Sequence, residues 1–527
     1  MVVVSSLFLA LCSLSLLAAH PLVVRDAVSV STPLGTAQGV VGVDGATRFA
    51  VRYANSTRWA PSAIVTEWAL PNDADDPAAL PLQCPQLNAD ASTYSEDCLS
   101  MILYVPDNIS VGSDAPTLVW IHGGSFDSGS ATFPGLDGSN LGIATDSIVV
   151  VIQYRLGALG FLPPDGSTNL GVQDTINALT FLSQVVPSFG GDASRITLAG
   201  QSAGAGMIRA LLAGPSASSL FKSAIMQSDP TDYGFTSLAT QALFQSTFND
   251  LVSCSPSDIA CHTALTIDTI LDAQSNVENN ALSLDPSAAL GEPLHPVLDG
   301  TLITSPLDST APFPTIDKPL LLTNVRNESV PTIYGVALPG PDAFPPVVFE
   351  LSSDAFLGVD RTAVLLASPF YETDPDGDSR VQLERLGTDY IWRCPTWTFG
   401  RNWVAAGGGS VHVGMYTIGA TYPGNEEIPE CLFDGAVCHQ DDIMILFGTT
   451  STPTPAQSAL TIEIQARYKA FLATNDPNVD GLDNWEPAMS SDVHAMQFGA
   501  PGEVPVLACD PAFWGAAVQY DYQFFGL

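Results

Sequence analysis

The sequence is poor in positive charge. Its 527 residues include 17 Lys and Arg, only three of them lysines, against 55 Asp and Glu, so the formal net charge is −38 at pH 7. A surface this acidic repels nucleic acid and anionic membranes, and we expect neither as a partner. The carboxylates are scattered among apolar segments, which does not indicate disorder. We interpret the negative surface charge as a feature that keeps an extracellular protein soluble.

Beyond its N-terminus the sequence lacks the run of about 20 apolar residues that a membrane helix needs. The N-terminal run begins at Met1 and ends in the small residues Ala18-Ala19, just before His20-Pro21. This pattern is typical of a secretory signal, although its start carries no Lys or Arg. We predict that residues 1–19 are a signal peptide and that the mature chain is secreted and soluble, without stable membrane insertion; a buried helix or an anchor is the alternative.

The chain also lacks a Gly/Ser- or Pro-rich linker long enough to separate domains, and no internal repeat is visible. The short run Gly407-Gly408-Gly409 lies between a helical pattern at residues 385–404 and a strand pattern at residues 411–417, and it is interpreted as a helix cap and turn. We therefore predict a single domain over residues 20–527, although the length alone would allow three or four.

Apolar runs predict the fold class. Four of them have the length of a strand and are apolar on both faces, at residues 117–121, 148–152, 195–199 and 319–323. A helical pattern covers residues 172–186, between the second and third runs. Strands buried on both faces are typical of a parallel sheet covered by helices, so we predict an α/β protein with one large central, mostly parallel sheet.

The most informative motif is Gly200-Gln201-Ser202-Ala203-Gly204. It lies between a β-branched strand pattern and an Ala/Leu-rich helix pattern. A serine on such a sharp strand-to-helix turn has its hydroxyl held clear of the backbone, which suits a nucleophile. The motif alone is weak evidence, because a nucleophilic serine also needs a base, an acid and donors for an oxyanion.

Candidate donors and a candidate base can be identified. The segment Ile121-His122-Gly123-Gly124-Ser125 follows a buried strand, and its glycines let backbone N–H groups face a cavity, as in an oxyanion hole. Among the histidines, His439 lies in a loop directly before the apolar helix pattern of residues 443–447. The residues alone do not decide whether His439 is catalytic or structural.

Several long motifs, in order along nearly the whole mature chain, resemble one family. They are Arg58-Trp59-Ala60-Pro61, Ser95-Glu96-Asp97-Cys98-Leu99, residues 154–162 (YRLGALGFL), residues 169–174 (NLGVQD) and Phe189-Gly190-Gly191-Asp192. The chain resembles the type-B carboxylesterase/lipase family, which includes fungal lipases and cholinesterases, and within it a secreted fungal member. The resemblance implies the α/β-hydrolase fold and hydrolysis of carboxylic esters through an acyl-enzyme, without a metal or cofactor.

The resemblance also implies the site residues: the nucleophile Ser202, the acid Glu328, the base His439, and the oxyanion-hole donors Gly124, Ser125 and Ala203. The sequence departs from the family pattern around the acid, because Asn327 and Ser329 stand where Asp and Gly are usual. Ser125 also replaces a glycine, although its backbone N–H is retained. Asp299 matches a structural motif of the family and is a poor rival for the acid.

Nine cysteines become eight if Cys12 is removed with the signal, and an even number in an exported chain suggests disulfides whose pairing the spacing does not fix. The family resemblance implies Cys84–Cys98 and Cys254–Cys261. For the other four cysteines we choose Cys394–Cys509 and Cys431–Cys438, the latter bracing the loop of His439.

Three sequons are present. Asn55 and Asn108 are candidate glycosylation sites in a eukaryotic host. We expect the third, at Asn327, to be buried at the active site and unmodified.

The substrate is predicted from two local features. The segment between Cys84 and Cys98 is short and polar, and would make a poor interfacial lid. It has no tryptophan to stack on a quaternary ammonium group, and Gln201 is neutral where cholinesterases carry an acid. We therefore expect small, soluble or modestly hydrophobic esters. The alternatives are a triacylglycerol lipase or sterol/long-chain ester hydrolase, a peptidase or thioesterase, and a catalytically silent binding or adhesion relative.

Overall fold

The computed structural model describes residues 25–509, except 290, 309–310 and 375–376. The predicted signal at residues 1–19 lies outside the described residues. The strands are β1 (Arg25–Thr32), β2 (Gly35–Val41), β3 (Ala46–Arg52), β4 (Ala54–Asn55), β5 (Ala63–Ile64), β6 (Ser100–Pro106), β7 (Ala115–Ile121), β8 (Ile148–Ile152), β9 (Gly191–Gln201), β10 (Ser223–Gln227), β11 (Leu320–Val325), β12 (Val411–Tyr416) and β13 (Met496–Phe498).

The α-helices are α1 (Ser139–Thr145), α2 (Gly157–Phe161), α3 (Leu170–Val185), α4 (Ala203–Leu212), α5 (Leu238–Val252), α6 (Ile259–Ala264), α7 (Ile267–Leu284), α8 (Pro346–Leu357), α9 (Val359–Leu366), α10 (Arg380–Gly387), α11 (Cys394–Ala405), α12 (Ile443–Phe447) and α13 (Pro455–Thr474). None of the helices described here is both long and apolar enough to cross a membrane.

Eleven strands form one sheet in the order β1-β2-β3-β6-β8-β7-β9-β10-β11-β12-β13. The pairs from β1 to β8 are antiparallel, and every pair from β8 to β13 is parallel. The predicted α/β class with a large, mostly parallel sheet is confirmed. The parallel part carries the four strands that were predicted from apolar runs.

The two faces of the sheet bury separate cores. Leu118 and Val149 belong to one core cluster, whereas their chain neighbours Val119 and Val150 belong to the other. Successive side chains of a strand point to opposite faces, so a strand covered by helices on both sides must be apolar throughout. This is why these strands appear in the sequence as uninterrupted apolar runs.

One predicted helix differs from the structure. The helical pattern of residues 385–404 is interrupted by a π-helical turn at Thr388–Arg393, between α10 and α11. Pro395 lies in the first turn of α11. Proline lacks the N–H that would continue the ladder, and its ring crowds the preceding turn, so the helix widens there. Within this π-helical turn, Trp392 lies against the ring of His439.

Four disulfides join Cys84 to Cys98, Cys254 to Cys261, Cys394 to Cys509, and Cys431 to Cys438. Cys84–Cys98 and Cys254–Cys261 are the pairs that the family resemblance implied, and Cys394–Cys509 and Cys431–Cys438 are the pairs chosen for the other four cysteines. Asn55 and Asn108 are exposed, as a glycosylation site must be, and their modification stays a prediction.

Two of the family-like motifs are joined by a buried ion pair. Arg155, just after β8, binds the Asp174 carboxylate of α3 through Nε and Nη2, each at 2.7 Å. Its Nη1 donates to the carbonyl of Ala60 at 2.7 Å, and the Ser62 hydroxyl donates to Asp174 at 2.6 Å. These bonds hold α3, the end of β8 and the loop after β4 together beneath the active site.

We predict that Arg155→Met lowers the free energy of unfolding by about 3–5 kcal/mol, because it leaves the Asp174 carboxylate buried without its cation. The measurement is denaturant unfolding of the variant beside the wild type. The matched control is Lys469→Met, which removes a cation from the half-exposed pair with Asp146 and should cost at most about 1 kcal/mol. Equal effects for the two variants would contradict the prediction.

Candidate active site

Ser202 occupies the sharp turn between β9 and α4. Its φ of 58° and ψ of −129° are unusual for a residue with a side chain, and such a conformation costs about 1–3 kcal/mol. The turn packs tightly: a Cβ added at Gly204 would lie 2.0 Å from the carbonyl oxygen of Ile121, and one at Gly200 would lie 2.8 Å from the backbone of Gly204. Only glycine fits at these two positions, so the sequence motif follows from the geometry.

The acid and the base are brought together from two loops. The Nδ1 atom of His439 lies 2.6 Å from Oε2 of Glu328. Glu328 is almost fully buried, and its other oxygen accepts the N–H of Val325 at 2.8 Å. The loops also bond to each other directly, since the Asn327 N–H donates to the carbonyl of Val437 at 2.9 Å. The Cys431–Cys438 disulfide ends next to His439.

The contact with Glu328 determines what the other ring nitrogen can do. With the proton of Nδ1 on the side of the carboxylate, Nε2 is left as an acceptor. In the described residues its partner is the side-chain amide nitrogen of Gln201, at 3.2 Å, rather than the Ser202 hydroxyl. A histidine that serves as the base for a serine nucleophile accepts the serine proton through such a lone pair. In His439 this lone pair lies against the Gln201 amide.

The environment of His439 favours its charged form. Burial by itself lowers the pKa of His439, but the hydrogen bond and charge of Glu328, with the charges of Asp442 and Glu292, outweigh burial and raise that pKa above its ordinary value. An imidazole with a raised pKa is a stronger base for the Ser202 proton.

The loop after β7 lies against the nucleophile turn. A Cβ added at Gly123 would lie 2.6 Å from the carbonyl oxygen of Gln201. Gly124 and Ser125 follow with φ of 110° and 51°. Within the described residues, the backbone N–H groups of Gly124, Ser125 and Ala203 have no hydrogen-bond acceptor, so all three are free to bind a developing oxyanion.

His122 supports this loop. Its ring stacks on Tyr154 at 4.7 Å, and the Tyr154 hydroxyl donates to the carbonyl of His122 at 2.9 Å. Burial lowers the pKa of His122 to about 4, so the ring is neutral and structural. Asp299 is structural too: it accepts three backbone N–H groups of the following turn, at Thr301, Leu302 and Ile303.

Sequence reasoning missed two buried carboxyl groups whose charges raise the pKa of His439. Asp442 is fully buried and bonds Nε2 of Gln227 at 2.5 Å. Glu292 is buried within electrostatic range of His439 and beside Ser125. Asp442 follows His439 closely in the sequence, and its acidity is the signal by which it could have been found. No local signal marked Glu292, which belongs to a loop between α7 and β11.

An apolar cavity of about 420 Å³ lies beside the acid. Ser329, the residue after Glu328, forms part of the cavity wall. Ile391 also lines the cavity, and its neighbour Trp392 contacts the ring of His439. Most of the wall is apolar, including Tyr233, Leu282, Ile333, Phe356 and Leu386. The segment between Cys84 and Cys98, which we expect to make a poor lid, forms no helix, and it is tied to the protein body by the ion pair of Arg58 and Glu96.

Comparisons with known proteins agree with this geometry. The chain is similar to the "cAMP-regulated D2 protein" of Dictyostelium discoideum, with 29% identity over 489 residues, which cover 87% of this chain and 86% of that protein. It is 44% identical to the para-nitrobenzyl esterase of Bacillus subtilis over 139 residues, which are 25% of this chain and 28% of that enzyme.

A solved structure described as a PNB esterase superposes with a TM-score of 0.71 at 23% identity, covering 89% of this chain and 95% of that one. This similarity shows the α/β-hydrolase fold that was predicted. The model of the carboxylesterase family matches residues 28–512. The chain therefore belongs to the carboxylesterase family and is a carboxylic ester hydrolase.

Proposed function

We propose that this protein is a secreted serine esterase that uses Ser202, His439 and Glu328 as its catalytic triad. The observation that carries the proposal is the convergence of three elements. A strained serine turn, a histidine bonded at 2.6 Å to a buried glutamate and three unpaired N–H groups meet at one edge of the sheet. The four disulfides support secretion, because disulfides persist in oxidising compartments.

The proposed reaction has two halves. His439 leaves the Gln201 amide and accepts the Ser202 proton through Nε2, while Oγ attacks the ester carbonyl carbon. The negative charge on the carbonyl oxygen is stabilised by the N–H groups of Gly124, Ser125 and Ala203. The protonated His439 then donates to the leaving alcohol, and the acyl group stays on Ser202. Water, deprotonated by His439, attacks the acyl-enzyme and releases the carboxylic acid.

We propose that the apolar cavity takes an apolar chain of the ester. Its wall offers little that would recognise a charged group, and each buried CH₂ contributes about 0.8 kcal/mol. A second candidate is a lipase acting on long-chain esters, because Leu282 and Phe356 at the cavity remain exposed by 40% and 39%. The short Cys84–Cys98 segment favours the esterase, since it has no helix that could open at an interface.

The nucleophile is tested first. We expect Ser202→Ala to lower kcat on p-nitrophenyl acetate by at least about 10³-fold, and an organophosphate to add its mass to Ser202 in the wild type. The control is Ser223→Ala, because Ser223 is also buried in the sheet but bonds Thr197; its activity should be unchanged. An active Ser202→Ala would refute the triad, and an unlabelled wild type would favour a silent binding protein.

The pH profile tests the base and the acid together. His439 must be neutral to accept a proton, so kcat/KM should fall as the pH falls through its raised pKa. Glu328→Gln removes a charge and a hydrogen-bond acceptor that raise the pKa of His439, so the acid limb should move to lower pH while kcat drops strongly. The measurement is kcat/KM between pH 4 and 9. A limb that moves to higher pH would contradict these roles.

The cavity is tested by a series of p-nitrophenyl esters from acetate to palmitate. We expect kcat/KM to rise by up to about four-fold for each CH₂ that the cavity accommodates, and then to fall. Ala289→Phe, which narrows the cavity, should lower kcat/KM for the octanoate ester about ten-fold and leave kcat/KM for the acetate ester unchanged. Ala406→Phe on the exposed end of α11 is the control. A maximum at palmitate with a jump at its solubility limit would instead identify a lipase.

A further inference from the structure

Gln201, the last residue of β9, carries a buried polar side chain to which the proposed reaction assigns no role. It is fully buried and points to the same face of the sheet as Ala199, which belongs to an apolar core cluster. Its amide nitrogen lies 3.2 Å from Nε2 of His439, whereas its Oε1 has no hydrogen-bond partner among the described residues. In that part of the chain, the contact with His439 is therefore what holds this amide.

The neutral form of His439 determines which end of the amide faces the ring. Glu328 lies 2.6 Å from Nδ1, so the proton of the neutral ring is on that side and Nε2 offers a lone pair. The amide nitrogen suits this lone pair because it donates, whereas the amide oxygen would repel it. Oε1 accordingly lies towards the loop after β7, where a Cβ added at Gly123 would be 3.2 Å from it.

The neighbouring strand carries a second glutamine at the same register. Gln227 of β10 pairs with Gln201 and is also fully buried, but its amide nitrogen donates to Asp442 at 2.5 Å. The two glutamines thus bind two different groups of one loop, the imidazole of His439 and the carboxyl group of Asp442. Their comparison separates an effect on the ring from an effect on the position of the loop.

Carboxyl groups from several elements favour the charged form of His439. These groups are Glu328, Asp442, Glu292 and Asp441. The Gln201 amide acts in the opposite sense, because an N–H that donates to Nε2 stabilises the neutral ring and cannot pair with the imidazolium. Only the neutral ring can accept a proton from Ser202, the proposed nucleophile.

We propose that Gln201 is a positioning residue for the base: its side-chain N–H binds Nε2 of neutral His439, holds the ring at the turn of Ser202 and opposes protonation of the ring. This inference rests on the proposed esterase function and deepens it. An uncharged donor before the nucleophile then extends the activity to lower pH, against the effect of the surrounding carboxyl groups.

The experiment measures kcat/KM on p-nitrophenyl acetate between pH 4 and 9 and, over the same range, the rate at which an organophosphate labels Ser202. Gln201→Met removes the donor at a similar side-chain volume. It should move the acid limb of both profiles to higher pH by about 0.5–1 unit, the effect of one hydrogen bond. Above the limb, its kcat/KM should stay within about three-fold of the wild type.

A second variant keeps the shape of the side chain. Gln201→Glu places a carboxyl group against Nε2 of His439, where an opposite charge favours the imidazolium, so the limb should move to higher pH by about 1–3 units. If Gln201→Met does not fold, as denaturant unfolding would show, this variant decides by the same sign: an unmoved or lowered limb would overturn the proposal.

Gln227→Met is the matched control. It removes a buried amide at the same register, but the lost hydrogen bond is to Asp442, so the limb should not move to higher pH. Three results would overturn the proposal. They are an unmoved limb in Gln201→Met with a lowered plateau, which indicates a structural role; a limb at lower pH, which indicates that Oε1 binds the charged ring; and an equal upward shift in Gln227→Met.

Failure of the underlying function gives a different pattern. In that case the organophosphate would not label the wild type, and Ser202→Ala would keep its activity. If only the role of Gln201 is wrong, the wild type is labelled and Ser202→Ala is inactive, while the acid limb of Gln201→Met stays at that of the wild type or moves to lower pH.

Discussion

The active site depends on the close approach of the Ser202 turn to the end of β7. Gly204 lies so near the Ile121 carbonyl that a single Cβ would overlap it. This contact holds the turn of Ser202 and the loop of Gly124, the candidate nucleophile and oxyanion loop, at a fixed separation. Preorganised donors of this kind cost no reorganisation during the reaction. The parallel pairing of β7 with β9 sets the approach, in the register that places Ile121 beside Gly200. The strain at Ser202 is thus maintained by a buried sheet.

The sequence predicts well those structural elements that depend on residues close together in the chain. The strand at residues 148–152 has the predicted bounds because both of its faces are buried and every residue must be apolar. Strand β9 begins earlier than predicted, at Gly191, because hydrogen bonds to a neighbouring strand extend it through polar residues that no apolar run reveals. The π-turn before α11 likewise depends on packing as well as on Pro395.

For the site, local patterns identify the turn of Ser202 and the loop of Gly124. They do not select His439 among the histidines. The family resemblance makes that selection, and it also names Glu328 despite its unusual neighbours. The amide of Asn327 fits this place, since its oxygen accepts the Val437 N–H at 3.2 Å and its nitrogen donates to Oε1 of Glu384 at 3.4 Å, as an Asp carboxylate could not. Glu292 could not be found from sequence, because it comes within electrostatic range of His439 only in the folded chain.

The acidic groups that act on His439, the candidate base, come from elements other than the turn of Ser202. Gln201 is neutral and donates to Nε2 of His439, whereas Asp442 and Glu292 approach from other elements and favour the imidazolium form. Burial raises the pKa of Asp442 to about 7 and of Glu292 to about 8, so at pH 7 Asp442 is about half ionised and Glu292 is mostly neutral. Burial thus reduces the negative charge of both groups, and this agrees with the apolar cavity beside Glu328.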